Sequence, residues 1–408
     1  MIRVLLAFLL VVALGYAACG ADFKPHSVVD GGAPDSGEGE ATDAGSRPTA
    51  AIGTEPMVVG WMPYAGGFWA ADVEWGQLRF LWVRHIERLE YFERLYSEGG
   101  IGRDAEPRFI VETKFGTEVS LHAVRTSREW SPLVLFEGAN PNQYPIRYLF
   151  WSPEQKPVLA TSCDYRHPYS VGGSANENEA WIAFRQPCSN ECGATYAVVL
   201  HRVPLATEPA QPACLFENER GGWAREVLLH PEFRFGATFL DRQLRLFEFS
   251  STGALVREAS ADNLRIGTWV FWPGEQRLVF EHRFDAKPPQ FRPSEIREAR
   301  IVDGRLEVRT SAALDPLFMS LHSAIASSHG VVVVGQPKPT VDGTGRQLVA
   351  LVRDDVVVGT QLLPDIGSNP AQVVEVDGAL LAFMEGHVPS DAGSSEAPIY
   401  GFRLALGR

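Results

Sequence analysis

Short apolar runs separated by tight turns recur from Met57 to the end of the chain, and they restrict the possible folds most strongly. The runs are rich in Val, Ile, Phe, Trp and Tyr, and Asp-Gly or other glycine turns stand between them. This pattern predicts β-strands joined by hairpins. Strands are predicted at residues 58–61, 109–124, 133–136, 146–150, 158–161, 196–203, 236–249, 268–284, 296–309, 331–335, 348–358 and 372–384. Regular alternation of strands and helices is absent from this pattern, which argues against a doubly wound parallel sheet.

One strand–turn–strand sequence occurs more than once in the chain. Residues 270–280 read VFWPGEQRLVF, and residues 149–159 read LFWSPEQKPVL. Looser copies or the bare hairpin pattern occur at residues 74–81, 240–247, 301–306 and 374–381. Phe150 and Phe271 are 121 residues apart, or three units of about 40, while later hairpins begin closer to 50 residues apart. Four-stranded propeller blades fall in this range of sizes.

The segment Trp151-Ser-Pro-Glu-Gln155 resembles the repeat of bacterial propellers such as the periplasmic Tol translocation protein. In that repeat an aromatic residue precedes Ser-Pro-Asp-Gly and an apolar strand, whereas Glu154-Gln155 stands here for Asp-Gly. The resemblance implies an all-β fold over residues 57–408, a β-propeller of six to eight blades with seven preferred. Tandem β-sandwich domains are the alternative. A final strand at residues 399–404, after a Gly/Ser/Pro-rich loop, predicts that strands from both chain ends complete one blade.

Residues 78–96 allow two interpretations. Apolar and aromatic side chains recur there at helical spacing, but Gln77-Leu78-Arg79 matches Gln243-Leu244-Arg245 within the repeated hairpin. We expect strands.

The N-terminus has the pattern of a secretory signal. Arg3 supplies the positive charge, and residues 4–14 form an apolar run too short for a stable membrane span. Small residues follow and lead to Cys19.

Small residues before a cysteine resemble the lipobox of bacterial lipoproteins, in which the cysteine is lipidated and becomes the mature N-terminus. Tyr16 stands where the lipobox usually has Leu, and the alternative is an ordinary signal cleaved near Ala18. The resemblance implies export and anchoring through Cys19, and stable anchoring needs two or more acyl chains. Gly20 after the cysteine favours the outer membrane by the sorting rule of enteric bacteria.

Residues 19–56 are predicted to be a lipidated cysteine and a disordered tether. Gly, Pro, Ser and acidic residues dominate this stretch without apolar periodicity. The predicted organisation is therefore a signal at 1–18, the tether at 19–56 and a propeller at 57–408. The formal net charge of −13 argues against a nucleic-acid surface.

Four further cysteines fall within 52 residues of each other, namely Cys163, Cys188, Cys192 and Cys214. An even number in an exported chain predicts two disulfides, whose pairing is open. Cys188 and Cys192 with His167 or His201 as zinc ligands are the alternative.

The cysteine-rich region also contains the longest predicted polar loop, residues 164–180. Loops on a rigid scaffold commonly carry recognition, so this loop is a candidate binding surface. Its candidate residues are Asp164, Arg166, His167, Asn176, Glu177 and Glu179. Calcium binding by these oxygen ligands is an alternative, although an EF-hand pattern is missing. We predict neither a metal nor a cofactor.

Recognisable catalytic motifs are absent: the chain has no Gly-x-Ser-x-Gly, no His-Glu-x-x-His and no phosphate-binding glycine loop. The sequence therefore favours a binding or scaffold lipoprotein over an enzyme. We expect a monomer that recognises an envelope protein or a cell-wall component. A secreted polysaccharide hydrolase or lyase and a small-ligand sensor are the alternatives.

Overall fold

The computed structural model describes residues 52–406 apart from connections between strands, and over residues 62–227 it describes chiefly the backbone. The residues not described are 1–51, 64–67, 75–76, 86–88, 97–108, 112–116, 126–129, 139–146, 152–156, 162–170, 177–178, 187–196, 205–212, 218–223, 231–232, 241, 285–293, 340, 342–345, 368, 387–395 and 407–408.

The described residues form 28 strands in seven four-stranded antiparallel sheets. Sheet 1 contains β2 (Phe68–Glu74), β3 (Gln77–His85), β4 (Leu89–Leu95) and β5 (Phe109–Val111). Sheet 2 contains β6 (Thr117–Arg125), β7 (Trp130–Gly138), β8 (Arg147–Trp151) and β9 (Pro157–Thr161). Sheet 3 contains β10 (Val171–Asn176), β11 (Glu179–Gln186), β12 (Ala197–Pro204) and β13 (Ala213–Glu217).

The remaining sheets follow in chain order. Sheet 4 contains β14 (Ala224–Leu229), β15 (Phe235–Leu240), β16 (Gln243–Phe249) and β17 (Leu255–Ala261). Sheet 5 contains β18 (Ile266–Phe271), β19 (Arg277–Arg283), β20 (Ser294–Val302) and β21 (Arg305–Thr310). Sheet 6 contains β22 (Phe318–Ser327), β23 (Gly330–Pro337), β24 (Leu348–Arg353) and β25 (Val356–Leu362). Sheet 7 contains β26 (Gln372–Val376), β27 (Ala379–Glu385), β28 (Glu396–Arg403) and β1 (Met57–Pro63).

The sheets form a closed ring. Each sheet contacts the next one in chain order, mostly through its first strand, and β26 of sheet 7 contacts β2 of sheet 1. The first strands therefore lie at the centre, and the fourth strands lie at the rim. This arrangement is a β-propeller, and it confirms the all-β fold predicted from the sequence.

Strands from both ends of the described chain complete sheet 7, as predicted. β1 is the outer strand and pairs antiparallel with β28, from Met57 opposite Gly401 to Pro63 opposite Glu396. Ile52 is fully buried beside Phe80 and Phe383. Ile52 therefore packs into the core that joins sheets 1 and 7.

Residues 78–96 form strands, as expected, because β3 and β4 pair from Arg79 opposite Leu95 to His85 opposite Leu89. The inferred 40-residue repeat is wrong. The segment 149–159 joins the third and fourth strands of sheet 2, whereas 270–280 joins the first and second strands of sheet 5. First strands of successive sheets begin 42 to 54 residues apart. The repeated text marks a type of hairpin and not a position in the blade.

Candidate functional site

Strand β19 has two different faces, and they position the candidate site. Leu278 and Phe280 pack into the core shared with sheet 4, while Val279 packs into the core shared with sheet 6. Because side chains alternate along a strand, Arg277, Glu281 and Arg283 lie on the face of Val279. The interface between sheets 5 and 6 is therefore apolar in the middle and charged at both ends of β19.

At one end, a β-bulge on the inner strand β18 faces Glu281. Ile266 pairs with His282 and Trp269 with Phe280, so Gly267 and Thr268 together oppose Glu281. A bulge of this kind re-aims side chains locally. A Cβ atom at position 267 would overlap the Glu281 carboxylate, so any larger residue there would displace that side chain.

Glu281 is 5% exposed, and its carboxylate has several donors. Arg283 donates from Nε to Oε1 at 2.6 Å and from Nη2 to Oε2 at 3.1 Å. The backbone N–H of Thr268 donates to Oε2 at 3.3 Å. The hydrogen bonds between Arg283 and Glu281 raise the pKa of Arg283. Together with the bond from Thr268, they compensate for the burial of the carboxylate.

A second bulge lies on β22, the inner strand of sheet 6. Leu321 pairs with Gly335 and Ser323 with Val334, which leaves His322 as the extra residue. The backbone N–H of Leu321 donates to Thr268 Oγ1 at 3.0 Å, so the two bulges are joined across the sheet interface. Burial lowers the pKa of the half-buried His322, which favours the neutral imidazole at neutral pH. We call Gly267, Thr268, Glu281, Arg283 and His322 the bulge site.

His282 lies beside this site on the opposite face of β19. Burial lowers its pKa, the charge of Arg297 lowers it further, and the charge of Glu295 acts in the opposite direction. Its Nδ1 accepts a hydrogen bond from the backbone N–H of Arg265 at 3.3 Å, which requires a neutral ring. The ring also makes an edge contact with Phe284, with centroids 4.9 Å apart.

The other end of β19 carries an ion network around Arg277, which is 3% exposed. Its Nη1 lies 2.9 Å from Glu298 and 2.6 Å from Asp355, and its Nη2 lies 3.1 Å from Glu275. The guanidinium also stacks over Trp272 at 4.3 Å from the ring centroid. Asp355 belongs to the β24–β25 turn, so this network joins sheets 5 and 6 by charge.

The two ends of β19 offer different chemistry. At the Arg277 end the buried guanidinium pairs with three carboxylates, although its Nε has no hydrogen-bond partner within the described residues, and this mutual pairing suits a structural role. At the bulge site Arg283 is 46% exposed, and half-buried polar groups lie on two adjacent inner strands. This end is suited to binding a polar ligand. Within the described residues, no three His, Cys, Asp or Glu side chains come together as metal ligands, and no helix is long and apolar enough to cross a membrane.

Most residues singled out in the sequence lie outside the part whose side chains the structure describes. These are Cys19, Cys163, Cys188, Cys192, Cys214, Asp164, Arg166, His167, Asn176, Glu177 and Glu179. Their lipidation, disulfide and binding roles stay predictions.

The predicted loop 164–180 is shorter than expected. Strand β10 occupies Val171–Asn176 and is the inner strand of sheet 3, and Asn176 pairs with Glu179 at the start of β11. The Gly-Gly-Ser-Ala stretch in β10 lacks the apolar and β-branched residues that mark a strand, so the pattern indicated a loop.

The sequence analysis missed the bulge site. Glu281, Arg283 and Thr268 are unremarkable within a strand-forming stretch, and their contacts depend on the register of β18 against β19. The one available signal was Ile266-Gly267-Thr268, because a glycine inside a strand often marks a bulge or a close approach.

No protein-family model matches this chain, and no curated protein sequence matches it. Many solved structures are similar to it, including the following three. A chain of the mitotic checkpoint complex is 10% identical, over 92% of this chain and 99% of that chain, with a TM-score of 0.47. A prolyl endopeptidase is 12% identical, over 84% of this chain and 51% of that chain, with a TM-score of 0.48. A functionally unknown protein from Desulfotomaculum acetoxidans is 11% identical, over 60% of this chain and 71% of that chain, with a TM-score of 0.34.

Proposed function

We propose that this protein is an exported, lipid-anchored propeller that binds a protein or a cell-wall component of the bacterial envelope. The signal-like segment and Cys19 support the export and the anchor, and the tether gives the ring reach above the membrane. The outer membrane is the preferred location because Gly20 follows the cysteine.

The bulge site is the observation that carries the binding role. The inner strands β18 and β22 present half-buried polar groups, and strand β19 beside β18 presents the exposed guanidinium of Arg283. Recognition residues that are held by a rigid scaffold lose little freedom on binding. His322 is the extra residue of the bulge on β22, and a bulge re-aims side chains relative to the regular ladder.

Crosslinking in the native envelope tests this function. The intact lipoprotein is crosslinked and purified, and its partner is identified by mass spectrometry. We expect one near-stoichiometric partner, and we expect Cys19→Ala to release the protein from the membrane fraction. If the intact chain recovers no partner, the proposed function is wrong.

A pair of matched variants then locates the surface. His322→Ala should reduce partner recovery about fivefold, the effect of losing about 1 kcal/mol at an interface. Arg305→Ala, on the exposed outer strand β21 of sheet 5, should leave recovery unchanged. Equal recovery by both variants would move the binding surface away from the bulge site.

A further inference from the structure

Arg283 is held in a fixed orientation by a group that is itself buried. The fork formed by Nε and Nη2 occupies one edge of the guanidinium and both oxygens of Glu281. A guanidinium has five N–H donors, so two of them are used in this pair and three remain. Within the described residues, this guanidinium hydrogen-bonds to Glu281, and 46% of the side chain is exposed.

The surroundings of Glu281 fix this geometry from the other side. Gly267 approaches so closely that a Cβ atom there would lie 2.7 Å from Arg283 Nε as well as overlap the carboxylate. Thr268 donates to the same carboxylate from its backbone and accepts from Leu321 of the next sheet. The guanidinium is therefore held in one orientation by the immobile Glu281 carboxylate. Because it is already ordered, it loses little side-chain entropy when a ligand binds.

Two further arginines lie near Arg283 along the backbone. The backbone carbonyl of Arg265 accepts a hydrogen bond from the N–H of Arg283, and Arg297 lies on the neighbouring strand β20. Arg297 and Glu295 pair with Phe280 and His282, so their side chains lie on the other face of sheet 5 from Arg283.

We propose that Arg283 is the anchor for a carboxylate group of the ligand. A planar guanidinium with donors on a free edge matches a carboxylate in a bidentate pair, and Lys cannot reproduce this geometry. Thr268 and His322 lie on the strands beside it and provide further polar contacts. This inference rests on the proposed binding function and names the chemical class that the bulge site recognises.

Fluorescence anisotropy with the full-length, detergent-solubilised protein tests the anchor. The probe is a fluorescein-labelled Glu-Glu-Glu peptide amide, and the matched peptide has Gln at all three positions. The wild type should bind the Glu peptide more tightly than the Gln peptide. Arg283→Lys should weaken binding of the Glu peptide about tenfold or more, because it keeps the charge and removes the bidentate hydrogen bonds.

Two further variants separate the anchor from general effects. Arg305→Lys makes the same substitution on the exposed outer strand of sheet 5 and should leave affinity unchanged. Gly267→Ala displaces the Glu281–Arg283 pair without changing any charge and should also weaken binding. If Gly267→Ala does not fold, the ¹⁵N resonance of the Arg283 Nε, assigned by its loss in Arg283→Lys, provides a second readout and should shift on titration with the Glu peptide.

Succinate and its neutral diamide distinguish an acidic polypeptide from a small carboxylate ligand. Binding of succinate without binding of the peptide, again lost in Arg283→Lys, would identify a small carboxylate. Equal affinity of Arg283→Lys and wild type for both probes, or equal affinity of wild type for the Glu and Gln peptides, would overturn the proposal. If Arg283→Lys still recovers the envelope partner in full, the binding function stands and the carboxylate anchor is wrong.

Discussion

At the scale of single residues, Asp355 combines a strained backbone conformation with an ion pair to the neighbouring sheet. Two hairpin turns, Asp303-Gly304 and Asp377-Gly378, have positive φ at both positions and place glycine second. The β24–β25 turn has Asp355 in that second position, with φ of 58°. A non-glycine residue in this region is strained by about 1 kcal/mol. The carboxylate that glycine lacks is the group that reaches Arg277 in the neighbouring sheet.

His282 predicts how stability depends on pH. Its folded pKa is lowered, mainly by burial, so the unfolded chain binds its proton more readily. The stability from this residue is therefore present above about pH 6.5, the usual pKa of an unfolded histidine, and is lost as the pH falls below that value. His282→Asn keeps an acceptor for the Arg265 N–H and removes the titration. We expect it to flatten the decline in Tm between pH 7 and pH 5.

The control is His329→Asn, because the His329 side chain is 41% exposed on the β22–β23 turn. It should leave the slope of Tm against pH as in the wild type. Burial also lowers the pKa of the half-buried His322, so this residue makes stability fall with decreasing pH in the same way. Some slope of Tm against pH should therefore remain in His282→Asn. An unchanged slope in His282→Asn would show that burial of this ring does not govern the acid response.

At the scale of elements, β19 joins sheets 5 and 6 by different means along its length. Val279 contributes apolar burial, the bulge site contributes hydrogen bonds, and the Arg277 network contributes charge. In the Trp-x-x-Glu-Gln-Arg sequence of the repeated hairpin, the tryptophan and the arginine contact each other, because Arg277 stacks over Trp272 across the turn. Lys156 stands in the corresponding place after Trp151, so both copies of the sequence have a cation at the same distance after the tryptophan.

The network around Arg277 predicts unequal costs for the loss of two of its three carboxylate partners. The Glu298 side chain is 7% exposed, and it also accepts from Arg309, so Glu298→Gln should destabilise the fold by about 3 kcal/mol. Asp355 is 55% exposed, and solvent screens its pair, so Asp355→Asn should cost less than about 1 kcal/mol. Urea denaturation of both variants gives the comparison. Similar costs for the two substitutions would contradict this account.

At the scale of the whole molecule, closure through β1 predicts that the N-terminal strand stabilises the entire ring. Val59 is 1% exposed in the core that joins sheets 1 and 7, and Val58 beside it is 41% exposed. Val59→Ala should lower the free energy of unfolding by about 2 kcal/mol. Val58→Ala should stay within about 0.5 kcal/mol of the wild type, because its side chain is largely in water. Urea denaturation followed by circular dichroism distinguishes the two, and equal effects would argue against closure by β1.

The sequence alone determined the class of fold and the local hairpins. Alternating apolar residues and Asp-Gly turns act within about ten residues of chain, so they predict strands at 78–96 and the closing strand at the C-terminus without knowledge of the rest. The signal and the cysteine of the predicted lipobox are likewise local. The predicted repeat of about 40 residues was wrong for the same reason, because the sequence of a hairpin does not indicate which strands of a blade it joins.

Only the tertiary structure decided the blade boundaries, the assignment of β10 as an inner strand and the bulge site. Thr268 and Leu321 are 53 residues apart, and Arg277 and Asp355 are 78 residues apart, so no local pattern joins them. The register of β18 against β19 places Glu281 opposite Gly267, and the packing of sheet 5 on sheet 6 buries that carboxylate. The orientation of Arg283 follows from this burial, because a carboxylate removed from water must take its hydrogen bonds from the nearest donors.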